Sequence, residues 1–121
     1  MLAKFTIPGR FTSLNDYIKA ERSNLNYSAV IKRDETKRAK EAAEGLPHFE
    51  HPVWLSFKWI EKDSRRDLDN IAFAKKFILD GLVKAGVLEN DSRRFVVGFE
   101  DDFSEIDKDN PRVEVTLWDN H

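Results

Sequence analysis

The chain has 121 residues, a formal charge of −2 from 20 Lys/Arg against 22 Asp/Glu, 40% hydrophobic and 35% charged residues, and no cysteine. That length predicts a single domain over 1–121, and three Trp, two Tyr and nine Phe are more aromatics than a disordered chain carries. Disulfides, thiolate zinc sites and thiol nucleophiles are excluded, and with no long apolar run or leader-like start a cytoplasmic protein with no membrane partner is expected.

In chain order, Ala3, Phe5 and Ile7 alternate with Lys4 and Thr6, a strand pattern from Leu2 to Ile7 that Pro8-Gly9 ends. Ser13 with Asp16 three residues on predicts a helix start, and the stretch to Glu44 lacks Gly and Pro. Ser23-Asn24-Leu25-Asn26 is its weak point, and Gly45 and Pro47 close it. A second strand places Val53, Leu55, Phe57 and Trp59 on one face, with Trp54, Ser56, Lys58 and Ile60 on the other. Ile71, Ala74, Ile78, Leu82 and Ala85 recur at helical steps, so one helix is predicted over Asp67–Ala85, stopped by Gly86. Phe95, Val97 and Phe99 alternate, an acidic loop runs from Glu100 to Pro111, and Val113, Val115 and Leu117 mark a last strand. The order β-α-β-α-β-β predicts an α+β fold, two helices packed on one face of a small four-stranded sheet, mixed or antiparallel.

Charge is distributed in blocks. Residues 1–97 sum to +4 and residues 98–121 to −6, so a basic face can exist behind a nearly neutral total. The chemistry concentrates in Arg65-Arg66-Asp67-Leu68-Asp69-Asn70 and in Asp91. Magnesium takes one or two carboxylates completed by phosphate and water. Asp67 and Asp69, two residues apart, share a face of an extended segment at a helix start. Asp91 lies beyond that helix and joins them only if its loop folds back. The alternative reading is that an aspartate caps the helix and the arginines are surface charge. An EF-hand is excluded, because Ile71 occupies a ligand position and no glycine follows. His48 and His51 lack a third ligand and read as surface or structural residues.

The string Arg66-Asp67-Leu68-Asp69-Asn70, Leu79-Asp80-Gly81-Leu82, Ala85-Gly86-Val87 and Asn90-Asp91, with Ile7-Pro8-Gly9, Asn15 and Tyr17 before it, resembles the RusA family of Holliday junction resolvases. The resemblance implies a small homodimeric, magnesium-dependent endodeoxyribonuclease (manganese as a substitute, no organic cofactor). Such an enzyme cuts four-way branched DNA by paired symmetric nicks in recombination and repair, and is often encoded by phages or prophages of a bacterial host. It assigns the metal-binding aspartates to Asp67, Asp69 and Asp91. The family's essential lysine stands one turn after the second aspartate, which is Phe73 here; counted back from Asp80 it falls at Lys76, with Lys75 the alternative. Arg65, Arg66, Asn70, Lys75, Arg93 and Arg94 are candidate DNA contacts, since guanidinium forks match phosphate geometry. The alternative function is a DNA-binding dimer that kept the fold and lost cleavage through the displaced lysine.

Overall fold

The computed structural model describes residues 1–119. It is an α+β fold with elements β1 (Ala3–Pro8), α1 (Leu14–Ser23), α2 (Leu25–Ala43), β2 (Val53–Ile60), α3 (Leu68–Ala72), α4 (Lys75–Lys84), β3 (Val96–Asp102) and β4 (Arg112–Asp119). The strands form one mixed sheet in the order β1-β4-β2-β3. β4 runs antiparallel to both β1 and β2, and β3 lies parallel to β2. The parallel pair requires a crossover, and α3 and α4 supply it.

The alternating faces do what their pattern predicts. Val53, Leu55, Phe57 and Trp59 of β2 are at most 2% exposed and meet Phe5, Ile7, Val113, Val115 and Leu117 in one core under the helices. The opposite face carries half-exposed Trp54 and Trp118. A Cβ at Gly98 would collide with the Trp54 ring, so the glycine admits an indole lying flat across β3. Among the described residues, no helix is long and apolar enough to cross a membrane.

Two predicted helices are each broken in two. Asn24 ends α1 and caps α2, its backbone extended (φ −163°, ψ 103°) and its side-chain oxygen accepting the Tyr27 N–H. Short polar side chains that bond their own backbone favour such breaks. The predicted helix over Asp67–Ala85 stops at Ala72 and resumes at Lys75. Around Phe73 and Ala74 the hydrogen bonds shorten from i→i−4 to i→i−3: Ala74 N–H donates to the Ile71 carbonyl and Lys76 N–H to the Phe73 carbonyl, both at 3.2 Å. The kink turns Phe73 onto Tyr17 and Phe77, with ring centroids 5.3 Å from each. A regular helix linking Asp69 to Lys76 is therefore replaced by two short helices joined through a turn at Phe73 and Ala74. β3 is also longer than expected at its far end, so Glu100 to Asp102 belong to a strand rather than to the acidic loop.

Gly81 explains part of the Leu79-Asp80-Gly81-Leu82 string. A Cβ there would lie 2.6 Å from Ala39 Cβ and 2.8 Å from the Lys40 amide nitrogen, so its absence lets α4 approach the backbone of α2.

Candidate active site

The segment before α3 is shaped by Asp63, whose carboxylate accepts the Arg65 N–H at 3.1 Å. That bond, together with the nearby Arg65, Arg10 and Lys62 charges, holds its pKa below the ordinary aspartate value despite some opposing desolvation. The turn sends Arg66 inward, where its guanidinium donates to the Phe11 carbonyl at 2.8 Å. Arg66 there lines a cleft of about 560 Å³ between the β1–α1 loop and the α1–α2 corner, shared with Lys19, Tyr27 and Arg38. Arg65 stays at the surface, 3.8 Å from Asp63.

Asp67 is the N-cap residue of α3 in extended geometry (φ −68°, ψ 153°), yet its side chain makes no capping hydrogen bond. Asp69 sits in the first turn of the same helix. Both are exposed, and among the described residues neither carboxylate has an ion-pair or hydrogen-bond partner. Asn70, one residue on, is buried at 8% exposure, and its side-chain oxygen accepts the Asn15 N–H at 3.0 Å. It thus satisfies a free amide at the start of α1, whose own N-cap Ser13 accepts from Asp16 at 3.2 Å. Asn15 and Tyr17 meet α3 and the kink here, Asn15 through Asn70 and Tyr17 through Phe73.

The two lysines separate cleanly. Lys75 has only 17% of its side chain exposed; its ammonium bonds Asp101 at 2.8 Å and lies 4.5 Å from the Phe99 ring centroid. Asp101 also accepts the Trp59 indole N–H at 2.8 Å, so Lys75 closes a packed cluster along the β3 edge. Lys76 is 58% exposed, with its ammonium 3.3 Å from Asp80 and 3.9 Å from Asp91.

Asp91 lies 3.9 Å from the ammonium of Lys76, a residue of the first turn of α4. It does not complete a three-carboxylate cluster: among the described residues, no group of three or more Asp, Glu or His side chains is close enough together to hold a metal ion. Arg93 and Arg94 follow in the same loop and are exposed, and the Arg94 guanidinium lies 5.7 Å from the Phe95 ring centroid. His48 bonds the Gly86 carbonyl at 2.6 Å and faces Glu89, tying two loops together, and His51 faces Asp119 at the end of β4 at 3.7 Å. Asp63, Asp80 and Asp101 were not among the residues expected at the site. The Asp-x-Arg spacing at 63–65 and the motif's own Asp80 were the signals for two of them; Asp101 had none.

The sequence profile of the family described as Endodeoxyribonuclease RusA matches residues 14–118. The chain belongs to the RusA endodeoxyribonuclease family. No curated protein sequence matches it. The RusA match spans α1 through β4 and so takes in every candidate residue named above. Membership implies a nuclease of Holliday junctions, and the α+β fold agrees with it.

Proposed function

We propose that this RusA-family protein is a magnesium-dependent endodeoxyribonuclease that resolves four-way DNA junctions by paired nicks, acting as a homodimer in the cytoplasm of a bacterial host, from a phage or prophage gene. The observation that supports the reading at the site is the pair of partnerless carboxylates, Asp67 and Asp69, at the opening of α3. Two free oxygen donors at one helix opening match what magnesium takes from protein when phosphate and water supply the rest. Asp67 and Asp69 would hold the ion; the family pattern assigns Asp91 as a further carboxylate, which here stands beside Lys76 and forms no three-carboxylate cluster with them among the described residues.

A bound magnesium ion supplies Lewis acidity at the phosphate and lowers the pKa of its water. The chain's own residues do the remaining work. Lys76, solvent-exposed and already drawn toward Asp91, neutralises charge that builds on the phosphate oxygens. Arg65, Arg93 and Arg94 meet the DNA backbone as phosphate forks, and Arg66, the residue before Asp67 in sequence, lines the cleft at the β1–α1 loop. Asn70 positions α1 against α3 with its oxygen. Lys75, held by Asp101, supports the strand edge. Two scissile strands related by a two-fold axis call for two sites, hence a C₂ dimer.

The test is incubation with a synthetic four-way junction with and without Mg²⁺. The reading expects paired symmetric nicks in Mg²⁺ or Mn²⁺ only. Asp67→Asn and Asp69→Asn should each lower nicking by at least roughly a hundredfold while leaving junction binding intact. Binding with no nicking at any Mg²⁺ or Mn²⁺ concentration would replace this reading with a DNA-binding dimer that retains the fold. Equal affinity for linear duplex and junction would remove both.

A further inference from the structure

A second cavity, of about 450 Å³, opens between α2 and α4 next to the Asp91 loop. Ala29 and Val83 give it apolar walls, and Lys32, Thr36 and Lys84 line it alongside. Thr36 is 3% exposed, and its hydroxyl is the one buried side-chain polar atom without a hydrogen-bond partner among the described residues. A buried hydroxyl with no partner is costly and uncommon, so it points to something absent that would bond it. Lys32 and Lys84 also have no ion-pair partner among the described residues. Lys37 and Lys40 on the same helix α2 pair with Glu41 and Glu44. Asp80 and Asp91 reach the cavity too, but Lys76 stands within 3.9 Å of both.

An unpaired hydroxyl, two unpaired ammonium groups and two apolar walls describe a ligand that is anionic at one end and apolar with polar edges at the other. The cavity falls within the range of about 300–1,000 Å³ usual for organic ligands, larger than an inorganic anion needs. We propose that it holds one nucleotide of the DNA strand that enters the nuclease site. The phosphate meets Lys32 and Lys84, the sugar and base lie against Ala29 and Val83, and the Thr36 hydroxyl bonds a polar atom of the nucleotide. Asp91 lines the cavity and is also the carboxylate that the family pattern assigns to the nuclease site, so the two readings share that residue. The identity of the ligand rests on the nuclease reading.

The experiment measures binding of a fluorescent four-way junction in EDTA, where no cleavage occurs, across a salt series. Lys32→Ala/Lys84→Ala is expected to weaken binding by about tenfold or more and to flatten the log–log salt slope by about two. Lys37→Ala, outside the cavity, is expected to change affinity less than about twofold. Thr36→Val should move two readouts in opposite directions: a higher Tm for the free protein, because a partnerless buried hydroxyl is gone, and several-fold weaker junction binding. A double variant that binds like the wild type would overturn the proposal. So would Lys37→Ala costing as much as the double variant, or Thr36→Val leaving affinity unchanged. Millimolar deoxynucleoside monophosphate should raise the wild-type Tm and leave that of the double variant unmoved; an equal rise with inorganic phosphate reduces the cavity to an anion site and overturns it as well. The nuclease reading is scored separately: a wild type that binds but never nicks defeats that reading while the lysine and threonine results still decide the cavity. A wild type that does not bind the junction defeats both.

Discussion

Asp67, Asp69 and Asp101 are all exposed aspartates, yet only Asp101 is engaged, by Lys75 and the Trp59 indole. An engaged carboxylate stabilises structure, and a free one at a helix opening is available to a ligand. Exposure divides Lys75, packed against Asp101, from Lys76, which is mostly exposed beside Asp80 and Asp91. Sequence spacing preferred Lys76, because a regular helix sets it on the Asp69 face and turns Lys75 away. Lys76→Met should lower the nicking rate by roughly a hundredfold with Tm unchanged, since its charge acts on the reacting phosphate. Lys75→Met should do the reverse, lowering Tm through the loss of a partner for Asp101 while leaving most of the nicking rate, as thermal melts and single-turnover assays on both variants will read. Residue types and the Asp-x-Asp spacing were visible in the sequence. Which side chains stay free was not, because that depends on β3, far along the chain, arriving beside α4.

At the scale of elements, local signals were read with little error and non-local ones were not. β2 occupies Val53–Ile60 as its alternation predicts, and Ser13 caps α1, because both signals lie within a few residues of the structure they specify. The break at Phe73–Ala74 contains neither glycine nor proline. It coincides with a contact distant in sequence, the packing of Phe73 on Tyr17. Strand order and the parallel β2–β3 pair are set by long-range contacts. Gly81 gives the helix pair a sharp test: Gly81→Ala would help an isolated helix by propensity, but the added methyl meets Ala39 Cβ at 2.6 Å. Overpacking of that kind costs about 1–3 kcal/mol, so denaturant melts should show net destabilisation of the variant. The β3–β4 loop has its own signature. Arg112 bonds Glu114, Asp107 and Glu105. The Arg112 bond is the main reason the Glu114 pKa falls below its ordinary value of 4.5, outweighing desolvation. Asp107 is also lowered: desolvation is its largest single influence and acts upward, but the Arg112, Asn110 and Asp109 hydrogen bonds together exceed it. A carboxyl with a lower pKa folded than unfolded binds more protons in the unfolded state through that window. Its stabilisation is full above the unfolded value and disappears as the pH falls through the folded one. Stability should therefore drop between about pH 5 and pH 2, and Arg112→Met should shrink that drop, measured by urea melts at a series of pH values.

For the whole molecule, the formal −2 averages over regions with different roles. Of the 22 acidic residues, Asp67, Asp69 and Asp91 are assigned to the nuclease site, and eight lie in 98–121. Within that last segment Arg112 and Lys58 hold Glu105, Asp107 and Glu114, so part of its charge is internally compensated along β4 and its loop. Arg93 and Arg94, by contrast, are exposed in the loop that carries Asp91 and have no carboxylate partner among the described residues. Binding to DNA releases one condensed counterion, to first order, for each phosphate a cation neutralises, so the salt dependence of affinity counts contacts where the net charge does not. If Arg93 and Arg94 meet phosphates, Arg93→Ala and Arg94→Ala should each reduce the log–log salt slope for junction binding by about one. Glu100→Gln and Asp109→Asn alter net charge by the same single unit but lie in the acidic segment, so the slope should hold steady. Equal changes from both pairs would mean that the protein responds to DNA through its total charge, and that the acidic and basic regions do not act as separate surfaces.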